Sequence, residues 1–142
     1  SVKLTAFTAV PQAPERVSLK IEDRTQERMT AQQRSVLNEI IRERLDDGGI
    51  TVVAPGHAGA PALVGEITTY DPGNRLIRYC ISFGAGKGHF ASSWTLKDEA
   101  GTEVGSGVIS GYIRAGFFGG SYKRVLKKAG KKLVEFLNGA EN

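Results

Sequence analysis

Between Leu63 and Ile113 the apolar residues return at every second position, in segments cut by turn-forming residues, and this period of two restricts the fold more than any other feature. Leu63 to Tyr70 leads into Asp71-Pro72-Gly73-Asn74, where Pro72 presets φ for the second position of a type II turn and Gly73 supplies the positive φ of the third. Leu76 to Phe83 then sets Ile77, Tyr79, Ile81 and Phe83 against Arg78, Cys80 and Ser82 on the opposite face. Gly84 to Gly88 interrupts the alternation, Phe90, Ser92, Trp94 and Leu96 resume it, and Asp98-Glu99-Ala100-Gly101 reverses the chain before a strand from Glu103 to Ile113. The pattern predicts a four-strand meander in which the Leu76–Phe83 strand has one wet side. In its last strand Gly105, Gly107 and Gly111 share a face, which predicts a shallow trough for a helix or bulky rings, a ligand groove being the rarer alternative.

The flanking segments supply the second layer. Val2 to Val10 and Arg16 to Glu22 read as strands joined by a connector with Pro11 and Pro14. Thr30 and Gln33 have capping-box spacing ahead of Val36, Leu37, Ile40, Ile41 and Leu45, a helical stripe that stops at Gly48-Gly49. Ile50 to Ala54 is a short β-branched run. Ser121 is a candidate N-cap for a last helix with Tyr122, Val125, Leu126, Ala129, Leu133, Phe136 and Leu137 as its apolar stripe, weakened at Gly130 by about 1 kcal/mol relative to alanine. Together these predict one α+β domain over residues 1–142, a two-layer sandwich of a mostly antiparallel sheet with both helices packed on one face.

Cys80 is the single cysteine, so neither an internal disulfide nor a cysteine zinc cage is available. The apolar runs fall far short of the roughly 20 residues that cross a bilayer as a helix. The chain begins at Ser1-Val2-Lys3 with neither an initiator Met nor an apolar signal core, so any targeting segment is expected to lie outside this stretch.

Catalytic signatures fail in detail. Gly84-Ala85-Gly86-Lys87-Gly88 resembles a phosphate-cradling loop, but a P-loop needs glycine where Ile81 stands, Ser or Thr where Gly88 stands, and a helix afterwards. His57 and His89 are the only histidines and have no third partner at a metal-ligand spacing. Cys80 with His89 lacks an orienting third group. Asp46-Asp47 at a helix end and Asp98-Glu99 at a turn suit local roles, and Asp71 with Arg75 suits a pairing across the turn. The expectation is a protein that is not an enzyme and carries no cofactor or metal.

Two features point to interaction. The net charge of +4 is localised, because residues 1–122 hold 13 basic and 13 acidic side chains and residues 123–142 hold six and two. Lys123-Arg124, Lys127-Lys128 and Lys131-Lys132 repeat every four positions and place a cationic ridge along the last helix, suited to an anionic membrane surface, a glycan or an acidic partner. With no aromatics interleaved, the ridge argues against nucleic acid. Before it, Gly116-Phe117-Phe118-Gly119-Gly120 carries two adjacent rings that cannot easily both point inward, so one is a candidate partner anchor. Lys123, Lys127, Lys128 and Lys131 with Phe117 and Phe118 are the candidate contact residues.

The stretch Val64-Gly65-Glu66-Ile67-Thr68-Thr69-Tyr70-Asp71-Pro72-Gly73-Asn74-Arg75, followed by Arg78-Tyr79, Phe83-Gly84-Ala85-Gly86-Lys87-Gly88, Leu96, Asp98 and Gly101, resembles the bacterial family described as domain of unknown function 4410. The resemblance covers roughly residues 60–140, and the lysine-rich helix is not part of its pattern. It implies a secreted lipoprotein: a periplasmic domain tethered to a membrane by a lipid on a cysteine ahead of it. No reaction comes with it. The resulting expectation is a non-enzymatic binding or assembly module for an envelope partner. Its alternatives are a direct binder of anionic lipid or glycan through the basic helix, and a small-ligand carrier or enzyme using the glycine-lined face. No motif specifies an oligomeric state.

Overall fold

The computed structural model describes residues 2–26, 28–71, 88–113 and 121–140. Along the chain it has strands β1 (Val2–Thr8) and β2 (Arg16–Asp23), helix α1 (Ala31–Asp47), strands β3 (Thr51–Val53), β4 (Ala62–Asp71), β5 (Gly88–Lys97) and β6 (Glu103–Ile113), and helix α2 (Ser121–Leu137). The strands form one sheet in the order β1-β6-β5-β4-β2-β3. Both helices lie on the face that carries the core, as an α+β sandwich requires.

Alternation decides which side of each strand is dry. In β5 the even positions Phe90, Ser92, Trp94 and Leu96 are buried and the odd positions between them are not. Residue type decides the spacing between strands and helices. The Trp94 indole lies over Gly65 of the neighbouring strand, so close that a Cβ there would sit 2.5 Å from the ring's Cζ3. The indole N–H donates to Ser92 Oγ at 2.8 Å, and that hydroxyl donates to the Ile109 carbonyl at 3.2 Å, which satisfies a buried polar pair.

Helix α1 starts as its sequence predicts. Thr30 Oγ1 accepts from the Gln33 N–H at 3.1 Å and Gln33 Oε1 accepts from the Thr30 N–H at 2.9 Å, closing the capping box. Thr30→Ala is expected to lower stability by about 1 kcal/mol, read from the midpoint of a urea melt. Leu37, Ile40, Ile41 and Leu45 are buried, and the chain leaves the helix through Gly49 at φ +80°.

The predicted strand Leu76–Phe83 and the turn at Asp71-Pro72-Gly73-Asn74 lie, beyond Asp71, outside the described residues. Among the described strands β4, β5 and β6 run as an antiparallel meander, with β2 on the other side of β4. The sheet is mostly antiparallel, as expected: β2 pairs in parallel with both β3 and β4, and the other three pairings are antiparallel. One boundary needs correction, because β1 stops at Thr8 and Val10 enters the core from the connector.

Gly130, read from the sequence as a weak point, has a packing role. A Cβ there would lie 2.7 Å from Arg44 Cγ, and one at Gly48 would lie 2.8 Å from Val134 Cγ1. These contacts show α1 and α2 running parallel, and glycine is what lets them close. Leu126, Leu133, Phe136 and Leu137 anchor α2 in the core.

Candidate interaction surfaces

At Gly105 and Gly107 in the trough of β6, the chain itself stands over the glycines. A Cβ at Gly105 would lie 2.6 Å from Val10 Cγ2 and 3.5 Å from Phe136 Cζ; one at Gly107 would lie 3.1 Å from the Thr5 carbonyl oxygen and 3.3 Å from Phe136 Cε1. At these two glycines the trough is therefore a socket for Val10 and the Phe136 ring.

Two further concavities among the described residues are open. A groove of about 600 Å³ at the Leu96 end of the sheet is lined by Pro11, Pro14, Arg16, Pro61, Leu96 and Val104 among others. A second, of about 320 Å³, lies between the loop at Arg24–Arg28 and the β4 bulge at Thr68–Tyr70. Neither was foreseen, because each is assembled from segments far apart in sequence.

Tyr70 borders the second groove with its ring buried. Burial, with Tyr122 nearby, outweighs the opposing influence of the Gln33 side chain and pushes its ionisation from 10.0 up to about 12. The raised value means that folding favours the neutral phenol. That contribution is complete below pH 10 and is lost as pH climbs from 10 towards about 12. Absorbance titration should show one tyrosine ionising late, and Tyr70→Phe should abolish that late step.

The histidines do not converge. His57 Nδ1 is 2.9 Å from the Ala58 carbonyl oxygen, and the His89 ring stacks on Tyr112 with centroids 5.2 Å apart, one from β5 and one from β6. Among the described residues no three His, Cys, Asp or Glu side chains are grouped to hold a metal ion. Cys80 and Gly84 to Lys87 lie outside the described residues. Asp98 has the expected local role, its Oδ1 accepting from the Ala100 and Thr102 N–H groups at 3.0 and 2.9 Å.

Two surfaces face solvent. The first is the basic side of α2, where Lys123, Arg124, Lys127, Lys128 and Lys131 are all exposed and none is within ion-pair distance of a described carboxylate. Lys132 alone is paired, with Glu135 at 3.1 Å. Phe117 and Phe118, the other candidate contacts, lie outside the described residues.

The second surface was not singled out from the sequence. No described helix covers the outer face of the sheet, where Ala91, Ser93, Thr95, Ser106 and Val108 of β5 and β6 are small and uncharged, with Val64 and the carboxylate of Glu66, opposite Ser93, beside them on β4. Ser93 pairs with Val108 and Thr95 with Ser106, so these residues form adjoining rows. Two large apolar side chains are exposed: Phe7, 70% at the β1 bulge, and Tyr112, 54%, stacked on His89.

Comparison with known proteins places this architecture. A family model described as "Domain of unknown function (DUF4410)" matches residues 4–116, starting earlier than the resemblance read from the sequence and ending before α2. No curated protein sequence matches the chain. Among solved structures, the PelC dodecamer from Paraburkholderia phytofirmans aligns with a TM-score of 0.63 at 16% identity over 99% of both chains. A variant PelC dodecamer from the same organism aligns with a TM-score of 0.61 at 15% identity, over 99% of this chain and 100% of the other. At such identities the likeness is one of fold.

Proposed function

The chain belongs to the family of domain of unknown function 4410, and from that premise we propose that it is a non-enzymatic domain of the bacterial cell envelope, periplasmic and lipid-tethered in the full-length protein, that works by assembling with copies of itself. The carrying observation is the outer face of the sheet, which no described helix covers. An open face that only meets water can carry long charged side chains at no cost, yet the outward positions at the centre of β5 and β6 hold Ala91, Ser93, Thr95, Ser106 and Val108, with Glu66 of β4 at their margin. Covering the β5 and β6 rows takes no charge of their own out of water, and that is the heaviest penalty a buried surface can incur.

The similar folds support this reading, since both PelC structures are dodecamers. The filled trough and the separated histidines support a role without chemistry. The test is the particle mass of the full chain by light scattering. Wild type is expected to run as an oligomer, and Ser93→Arg or Val108→Arg, each placing a charge in the rows, as a monomer. A wild-type monomer at every concentration reached would refute self-assembly. Recovery of the full-length protein in the soluble cytoplasmic fraction would refute the envelope assignment.

A further inference from the structure

We propose that the exposed side of α2 is a docking surface for anionic phospholipid headgroups. This deepens the envelope reading and is independent of self-assembly, which uses the other side of the sandwich. Lys123, Arg124, Lys127, Lys128 and Lys131 occupy positions i, i+1, i+4, i+5 and i+8, within roughly 12 Å of helix at 1.5 Å per residue. Each is exposed and unpaired with any described carboxylate, whereas the adjacent Lys132 is held by Glu135. The excess positive charge of the whole chain resides in this segment.

The geometry favours a membrane plane over other polyanions. The apolar stripe of α2 is consumed by the core, where Leu126, Leu133, Phe136 and Leu137 are buried, so the helix cannot roll into a bilayer. What remains is a rigid convex rod of point charges, four of the five being lysine. Among the described residues its exposed side offers no groove to follow a strand, no ring on which a base or sugar could stack, and one guanidinium for bidentate phosphate contacts. A fluid array of headgroups makes no such geometric demand, and attraction to it sums over charges. Binding is therefore peripheral and salt-sensitive. Each basic side chain brought to an anionic surface multiplies partitioning about fivefold.

The test is cosedimentation of the full chain with vesicles of phosphatidylglycerol mixed with phosphatidylcholine, and with phosphatidylcholine alone. Wild type is expected on the anionic vesicles, to be released by salt, and to ignore the neutral ones. The triple variant Lys127→Glu, Lys128→Glu, Lys131→Glu should lose on the order of a hundredfold or more in partitioning, and the corresponding glutamine variant about a hundredfold. Circular dichroism of both should match wild type, because these side chains are exposed. Equal binding to neutral vesicles, or unchanged binding of the triple variants, would overturn the proposal. So would retention on heparin or DNA at salt concentrations that strip the protein from anionic vesicles. Ser93→Arg separates this idea from self-assembly: it should still sediment with anionic vesicles, and the triple variants should keep the wild-type particle mass.

Discussion

Phe136→Ala is expected to lower the unfolding free energy by about 3–5 kcal/mol, the range for deleting a buried aromatic ring. The ring is 1% exposed and stands over Gly105 and Gly107, the one stretch of β6 with no side chains of its own to contribute. Its removal leaves backbone facing an empty socket, and glycines cannot collapse into the space as larger residues would. Chemical denaturation should show the loss as a lower midpoint at nearly constant slope. The variant also distinguishes socket from ligand site: a destabilised protein that gains affinity for a small aromatic probe identifies Phe136 as the resident of the trough. A stability change below about 1 kcal/mol would show that the ring does not fill it.

Gly65→Val should be nearly as damaging, by about 1–3 kcal/mol, for the opposite reason of excess volume. The first atom added to Gly65 already falls 2.5 Å from Trp94 Cζ3, and valine adds two methyls beyond it. The indole is pinned from the other end by its bond to Ser92, so it cannot slide away without breaking a buried hydrogen bond. Because Trp94 is the single tryptophan, its fluorescence reports the event directly: the variant should emit at longer wavelength as the ring is pushed towards water. Unchanged emission together with unchanged stability would contradict the stacking of Trp94 on Gly65.

Much of this fold was legible in the sequence wherever the determining interactions are local. The Thr30–Gln33 capping box, the α1 and α2 stripes and the Asp98–Gly101 reversal depend on residues a few positions apart, and they stand as expected. The glycine trough was legible too, since period-two geometry puts Gly105, Gly107 and Gly111 on one face whatever the partners are. Long-range choices were not. The pairing of β2 in parallel with β4, the entry of Val10 into the core and the role of Gly130 depend on what comes alongside, and no spacing within one segment encodes that.

The candidate surfaces divide the same way. The basic ridge was visible because helical spacing alone aligns its lysines, and the structure leaves the charges exposed. The outer sheet face was not, because alternation shows which residues point away from the core but not whether anything covers them. Its small neutral residues became notable only once both helices were found on the opposite side.

The central claim is that the outer sheet face is where one copy meets another. It is tested most directly by spin labels on single cysteines, in a Cys80→Ser background, at Ser93 in the open face and at Lys128 on the ridge. Dipolar coupling between copies is predicted for the label at Ser93 and not for the one at Lys128. Coupling at Lys128 with none at Ser93 would contradict it.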